Sequence, residues 1–187
     1  MHPLLGTVFV RFSNRAQRIS IRVTSSGRVS LVIPRNETIE QAACFLDSKI
    51  EWVKRALVRQ QHRQVLLPKS LSEQERRERI EELRRRAKED LPWRIDLLSK
   101  ATGLHYTQLT LRLTRSKWGS CSSRNSISLN ICLAGVPEHL RDYVILHELC
   151  HTLHHNHSQA FHDLVNRLTQ GRERELEKEL RQYAISD

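Results

Sequence analysis

The stretch ILHELCHTLHHNHSQAFH, residues 145 to 162, holds six histidines in eighteen positions. The first two bracket a glutamate, as His147-Glu148-Leu149-Cys150-His151. The residues around them, LRDYVILHELC (140–150), are largely apolar and read as a helix. Residues four apart on a helix share a face one turn apart, so His147 and His151 present their rings together. Imidazoles buried in such a helix are costly unless something satisfies them. A Zn²⁺ ion does so, taking two ring nitrogens at about 2.0–2.1 Å. Glu148 lies about 100° around the helix from His147, beside the ligand row but outside it. That is where a general base is needed, close to a water that zinc has acidified.

A catalytic zinc site needs three protein ligands and one open position. His154, His155, His157 and His162 are the candidates for the third. If the helix ran on, His154 and His155 would sit a further turn along it, too far from a metal held by the first pair. Asn156 signals an end to the helix, because Asn tolerates the left-handed backbone that ends helices. A reversal there would swing His157 back toward the metal. The result is HExxHxxxxxH, the ligand spacing of metzincins, with His154 where metzincins carry glycine. Glu173 or Glu175 is the alternative third ligand, although both stand in a charge run that reads as an exposed face. His157 is favoured over them, which leaves His155 and His162 as surface residues or as neighbours of the ligands.

Composition sets the frame. The 187 residues suffice for one domain with a small annex. A hydrophobic content of 39% with 28% charge allows a core and excludes full disorder. No apolar run approaches the roughly 20 residues that cross a bilayer. The opening MHPLLGTVFVRFSNR lacks the features of a secretory leader. The expectation is a cytoplasmic protein with no membrane partner. Cys44, Cys121, Cys132 and Cys150 form no CxxC pair and read as reduced, mostly buried thiols.

The net charge of +10 suits an acidic partner such as nucleic acid, or equally an arginine-rich surface. Residues 1 to 62 carry ten basic and four acidic side chains. A polyanion would therefore meet Arg11, Arg15, Arg18, Arg22 and Arg28 in this region.

ISIRV (19–23) and RVSLVI (28–33) alternate around TSSG and predict a β-hairpin, with VFVRF (8–12) as a third strand. Thr38 with Gln41 is a capping box opening a helix over 38–60. HRQVLLPKS (62–70) reads as a connector. Ser72 with Glu75 opens a second helix, which Pro92 should bend or break and Gly103 should stop. Its outer face carries ten basic and eight acidic side chains between Lys69 and Lys100, as a solvated face does. TQLTLRLTR (107–115) is a strand. SKWGSCSSRNSISLNICL (116–133) predicts two strands around a turn at Ser122–Asn125. Pro137 begins the histidine-bearing helix. Ser158 caps another through about Leu168, and Gly171 precedes a last, charged one.

RSKWGSCSSRNSISLN (115–130), DYVILHELCH (142–151) and NHSQAFH (156–162) resemble the motifs of the YgjP-like zinc metallopeptidase domain family. The chain resembles SprT-like and WLM peptidases more distantly. ISIRV…VSLVIP and FLDSKIEWVKRAL (45–57) resemble that family's N-terminal region. The resemblance implies a zincin-type fold, ligand roles for His147, His151 and His157, and a catalytic Glu148. It also implies an extended substrate bound along an edge strand, for which SISLN (126–130) is the candidate. The chain departs from the family in a short middle section, in His162 where Trp is frequent, and in the tail QGRERELEKELRQY.

The combined expectation is an α+β chain with an N-terminal hairpin and helix over residues 1–62. A zincin-like domain follows over 71–187, its active-site helix packed on a small sheet. It would hydrolyse peptide or protein substrates by zinc-activated water with Glu148 as base. Trp118, Cys121 and Tyr143 read as packing residues, and Arg115 or Lys117 could stabilise an oxyanion. The rival functions are a protease acting on DNA-bound proteins and a zinc-stabilised binding module without catalysis.

Overall fold

The computed structural model describes residues 2–24, 27–61 and 63–186. The chain forms two compact units, Met1–Arg63 and Gln64–Ser186.

In the first unit, strand β3 (Val29–Pro34) is central. β1 (Val8–Ser13) runs parallel to it on one side and β2 (Ser20–Val23) antiparallel on the other. The expected hairpin is β2–β3. Gly27 takes a positive φ of 75° in its turn, and the turn residues Ser25 and Ser26 lie outside the described residues. Val29, Leu31 and Ile33 pack against Ala42 and Leu46 of helix α1 (Ile39–Ser48) and Val53 of α2 (Ile50–Gln61).

The Thr38–Gln41 capping box is formed, but the single helix expected over 38–60 breaks at Lys49. Ser48 Oγ donates to the Phe45 carbonyl at 2.8 Å, and the Lys49 N–H reaches back only to Leu46. That tightened turn ends α1. Apolar spacing continues across the break, so the pattern reads as one helix. The side chains of Arg11, Arg15, Arg18, Arg22 and Arg28 are exposed, and the Arg28 guanidinium lies 4.5 Å over the Phe9 ring.

The second unit is built on α3 (Glu73–Thr102). Its Ser72–Glu75 capping box and its left-handed Gly103 stop are both present. Leu83, Ala87, Leu91 and Ile95 are fully buried along one stripe. Pro92 does not end the helix. The carbonyl it deprives of a donor is that of Lys88, an exposed residue, where water can serve instead.

The sheet has the order β5 (Gln108–Arg112), β7 (Ser126–Asn130), β6 (Gly119–Cys121). β5 is parallel to β7 and β6 is antiparallel to it. The residues after β7, expected as strand, form a 3-10 turn at Ile131–Gly135. Asn130 caps it, its Oδ1 accepting from the Cys132 N–H at 3.0 Å. Then come α4 (Glu138–Cys150), α5 (Gln159–Leu168) and α6 (Glu173–Leu180). A two-residue parallel pairing of β4 (Gln64–Val65) with β8 (Tyr183–Ala184) ties the start of this unit to its end.

The architecture is α+β, with α4 packed on β6 and β7. The charged face of α3 is not wholly solvated. Arg94 is buried and donates to Asp90 (3.1 Å), Glu138 (2.9 Å) and Asp142 (2.7 Å), while Arg141 also reaches Asp90. These bonds lock α4 against α3. Among the described residues no helix is long and apolar enough to cross a membrane.

Candidate metal centre

α4 presents His147 and His151 one turn apart. The helix then stops short of Asn156. His151 is its C-cap, and the Leu153 and His154 N–H groups both turn back to the Cys150 carbonyl. Asn156 is not among the residues with positive φ, so the left-handed stop expected there is absent. The reversal is made over residues 152 to 157, and it does bring His157 back just ahead of α5.

Ring nitrogens of His147, His151 and His157 all lie within 4.8 Å of one another. Nε2 of His147 and Nε2 of His157 are 3.3 Å apart. Two nitrogens bound tetrahedrally at about 2.0–2.1 Å from one ion would be separated by about 3.3–3.4 Å. The His151 ring is fixed from behind. Its Nδ1 lies 2.9 Å from the His154 carbonyl, which only accepts, so Nδ1 carries the proton and Nε2 keeps its lone pair. Phe161, fully buried, stacks on His151 at 4.4 Å and meets His147 and His157 edge-on at 4.9 Å each.

Burial, reinforced by the neighbouring histidines, pushes His147 down to about 4. Burial also lowers His151 against the pull of its carbonyl bond. Both rings are neutral near pH 7, as metal ligation requires. The donor set therefore fits a borderline-soft divalent ion such as Zn²⁺.

Glu148 is buried beside this cluster, and its Oε2 has no hydrogen-bond partner among the described residues. Burial pushes its carboxyl up to about 7, with the charge of Lys117 acting against the shift. An unsatisfied buried carboxyl poised near neutrality is a group placed to exchange a proton. Its side chain rests against Gly119 of β6, where an added Cβ would come within 2.7 Å of Glu148 Cγ. A cleft of about 250 Å³ opens here, bounded by Lys117, Trp118 and Gly119 on one side and by Glu177 and Leu180 on the other.

Asn130 holds the loop that leads into β6. Its Nδ2 donates to the carbonyls of Thr114 and Lys117, each at 2.9 Å, and to Thr114 Oγ1 at 2.8 Å. Sequence reasoning missed Asn130, Gly119 and Phe161, although Gly119 beside Trp118 is a visible signal for a close approach.

The other expected residues fall as follows. Glu173 is buried rather than exposed, and it accepts from His162 Nδ1 (2.7 Å) and Asn166 Nδ2 (3.1 Å). Glu175 pairs at the surface with Arg172. Neither belongs to the histidine cluster. His155 is exposed, and Arg115 lies outside the residues that line the cleft. Lys117, Trp118 and Tyr143 do line the cleft, and Tyr143 and Trp118 also pack on the core. Cys121 is held at about 11 by burial and by the charge of Glu148. All four cysteines are free thiols, although Cys44 is exposed. The strand SISLN is β7, with both edges paired, so the outer strand beside α4 is β6.

A family model described as YgjP-like, metallopeptidase domain, matches residues 58–183. Among solved structures, the metallopeptidase zymogen abylysin of Pyrococcus abyssi is similar at 20% identity with a TM-score of 0.43. That match covers 46% of this chain and 88% of the other. No curated protein matches the chain significantly.

Proposed function

The chain belongs to the YgjP-like metallopeptidase domain family, and on that premise we propose that it hydrolyses peptide bonds with one Zn²⁺ held by His147, His151 and His157. Glu148 is the general base. The observation that carries the reading is the 3.3 Å between the Nε2 atoms of His147 and His157, the separation that a shared tetrahedral ion requires. Zinc in that position would polarise the scissile carbonyl and acidify the attacking water.

The chain's own residues do the rest. The His154 carbonyl holds His151 in the tautomer that leaves Nε2 as a donor. Glu148 takes the proton from the attacking water and passes it to the leaving amine. Gly119 leaves the room that the Glu148 side chain needs. The substrate backbone runs along β6, the outer strand, where main-chain hydrogen bonds hold a peptide independently of its sequence.

The test is digestion of an unfolded protein such as reduced casein by the zinc-loaded chain. Cleavage should stop with a chelator and return with zinc. Glu148→Gln should lower the rate at least ~10²-fold while zinc content stays the same. A Glu148→Gln protein that cuts like the wild type would remove the general base from this account. A wild type that binds zinc but cuts nothing would favour a binding module.

A further inference from the structure

The cleft beside Glu148 is small, and its walls differ in character from its rim. Its volume of about 250 Å³ lies below the roughly 300–1,000 Å³ of pockets that hold a drug-sized ligand. It has room for one side chain rather than a whole metabolite. Trp118, Val144 and Leu180 line it, with the ring of the buried Tyr143. Besides the reacting Glu148, the charged residues at the cleft are Lys117 and Glu177; both are exposed, and Glu177 is paired with Arg181 at the surface. A basic side chain entering the cleft would meet apolar walls and a Glu177 carboxylate already paired with Arg181, and an acidic one would find only the exposed Lys117 ammonium, where a surface ion pair is worth little. An apolar one would exchange water for those walls.

The outer wall comes from α6, and α6 is fastened in place. His139 of α4 bonds Glu179 at 2.8 Å, and Glu173 bonds His162 of α5 at 2.7 Å. The cleft is therefore built into the fold. His147 and Glu148 also line it, so whatever fills it stands next to the reacting atoms.

We infer that this cleft is the subsite for one apolar substrate side chain, and that Leu180 of α6 sets the size it accepts. The inference rests on the metallopeptidase reading above and adds to it a substrate class: peptides with an aliphatic or aromatic residue next to the scissile bond.

The test measures binding, not turnover. Hydroxamates anchor on the metal, and each probe carries one side chain next to that anchor: hydrogen, methyl, isobutyl, benzyl, aminobutyl or carboxyethyl. Affinities are measured by calorimetry on the zinc-loaded full chain. The isobutyl or benzyl probe should bind at least ~10-fold more tightly than the hydrogen, aminobutyl and carboxyethyl probes. Leu180→Ala should shift the preference toward benzyl, and Leu180→Trp should shift it toward methyl. Because the two variants move it in opposite directions, a general loss of stability cannot imitate the result.

Equal binding of all six probes overturns the subsite, as does a preference for aminobutyl or for carboxyethyl. A preference unchanged in both variants removes Leu180 from its role. If no probe binds, or if binding is the same without zinc, the metal-centre reading falls and the subsite falls with it. That outcome is distinct from zinc-dependent binding that does not discriminate.

Discussion

The position of a Cβ at residue 119 would lie 2.7 Å from both Cγ and Oε1 of Glu148. Real Cβ atoms do not approach other atoms so closely. Gly119 shows no positive φ, so the constraint is space rather than backbone conformation. Gly119→Ala must displace the Glu148 side chain or the strand that faces it. We expect kcat/KM to fall at least ~10-fold, because small misplacements of a reacting group are costly, while zinc affinity is unchanged. Steady-state kinetics with metal analysis check this. Full activity in Gly119→Ala would show that Glu148 is not held as described.

Asn130 faces three oxygens with its amide and one N–H with its oxygen. Asn130→Asp keeps the size and the acceptor but turns a carboxylate oxygen toward the carbonyls of Thr114 and Lys117. Unfolding in urea should show a loss of about 2 kcal/mol or more. A change within about 0.5 kcal/mol would mean that the loop does not depend on this residue.

Asp90 gives the α3–α4 lock a pH dependence. Burial alone would raise its carboxyl, but hydrogen bonds and charge from Arg94 and Arg141 outweigh it and hold the group below the usual 3.8. A carboxyl lowered in the folded state stabilises the fold above its unfolded value. That contribution is lost as pH falls through the folded value. The stability advantage of the wild type over Asp90→Asn should therefore hold from pH 7 down to about 4 and shrink below it. Denaturant titrations at pH 7, 5, 4 and 3 measure this, and an advantage that grows on acidification would contradict the assignment.

Features that depend on neighbours in sequence were legible. The Thr38–Gln41 and Ser72–Glu75 caps and the turn at Ser122–Asn125 appear where the pattern puts them, because each closes within three or four residues. His147 and His151 share a face for the same reason. Contacts between distant residues were not legible. Nothing local marks Arg94, among ten basic side chains, as the one turned inward, because its partners Glu138 and Asp142 lie on another helix. The β4–β8 pairing is two residues long and carries no alternation to read. The sequence brings His157 back through an expected stop at Asn156, whereas the chain makes that reversal earlier, through the Cys150 carbonyl.

The proposed hydrolysis needs one metal centre made by His147, His151 and His157. Equilibrium dialysis against Zn²⁺, with metal content read by mass spectrometry, tests it directly. The wild type should hold one zinc per chain. His147→Ala, His151→Ala and His157→Ala should each weaken binding at least ~10²-fold, while Glu175→Ala binds as the wild type does. Unchanged affinity in His157→Ala, or a loss in Glu175→Ala as large as those of the histidine variants, would contradict it.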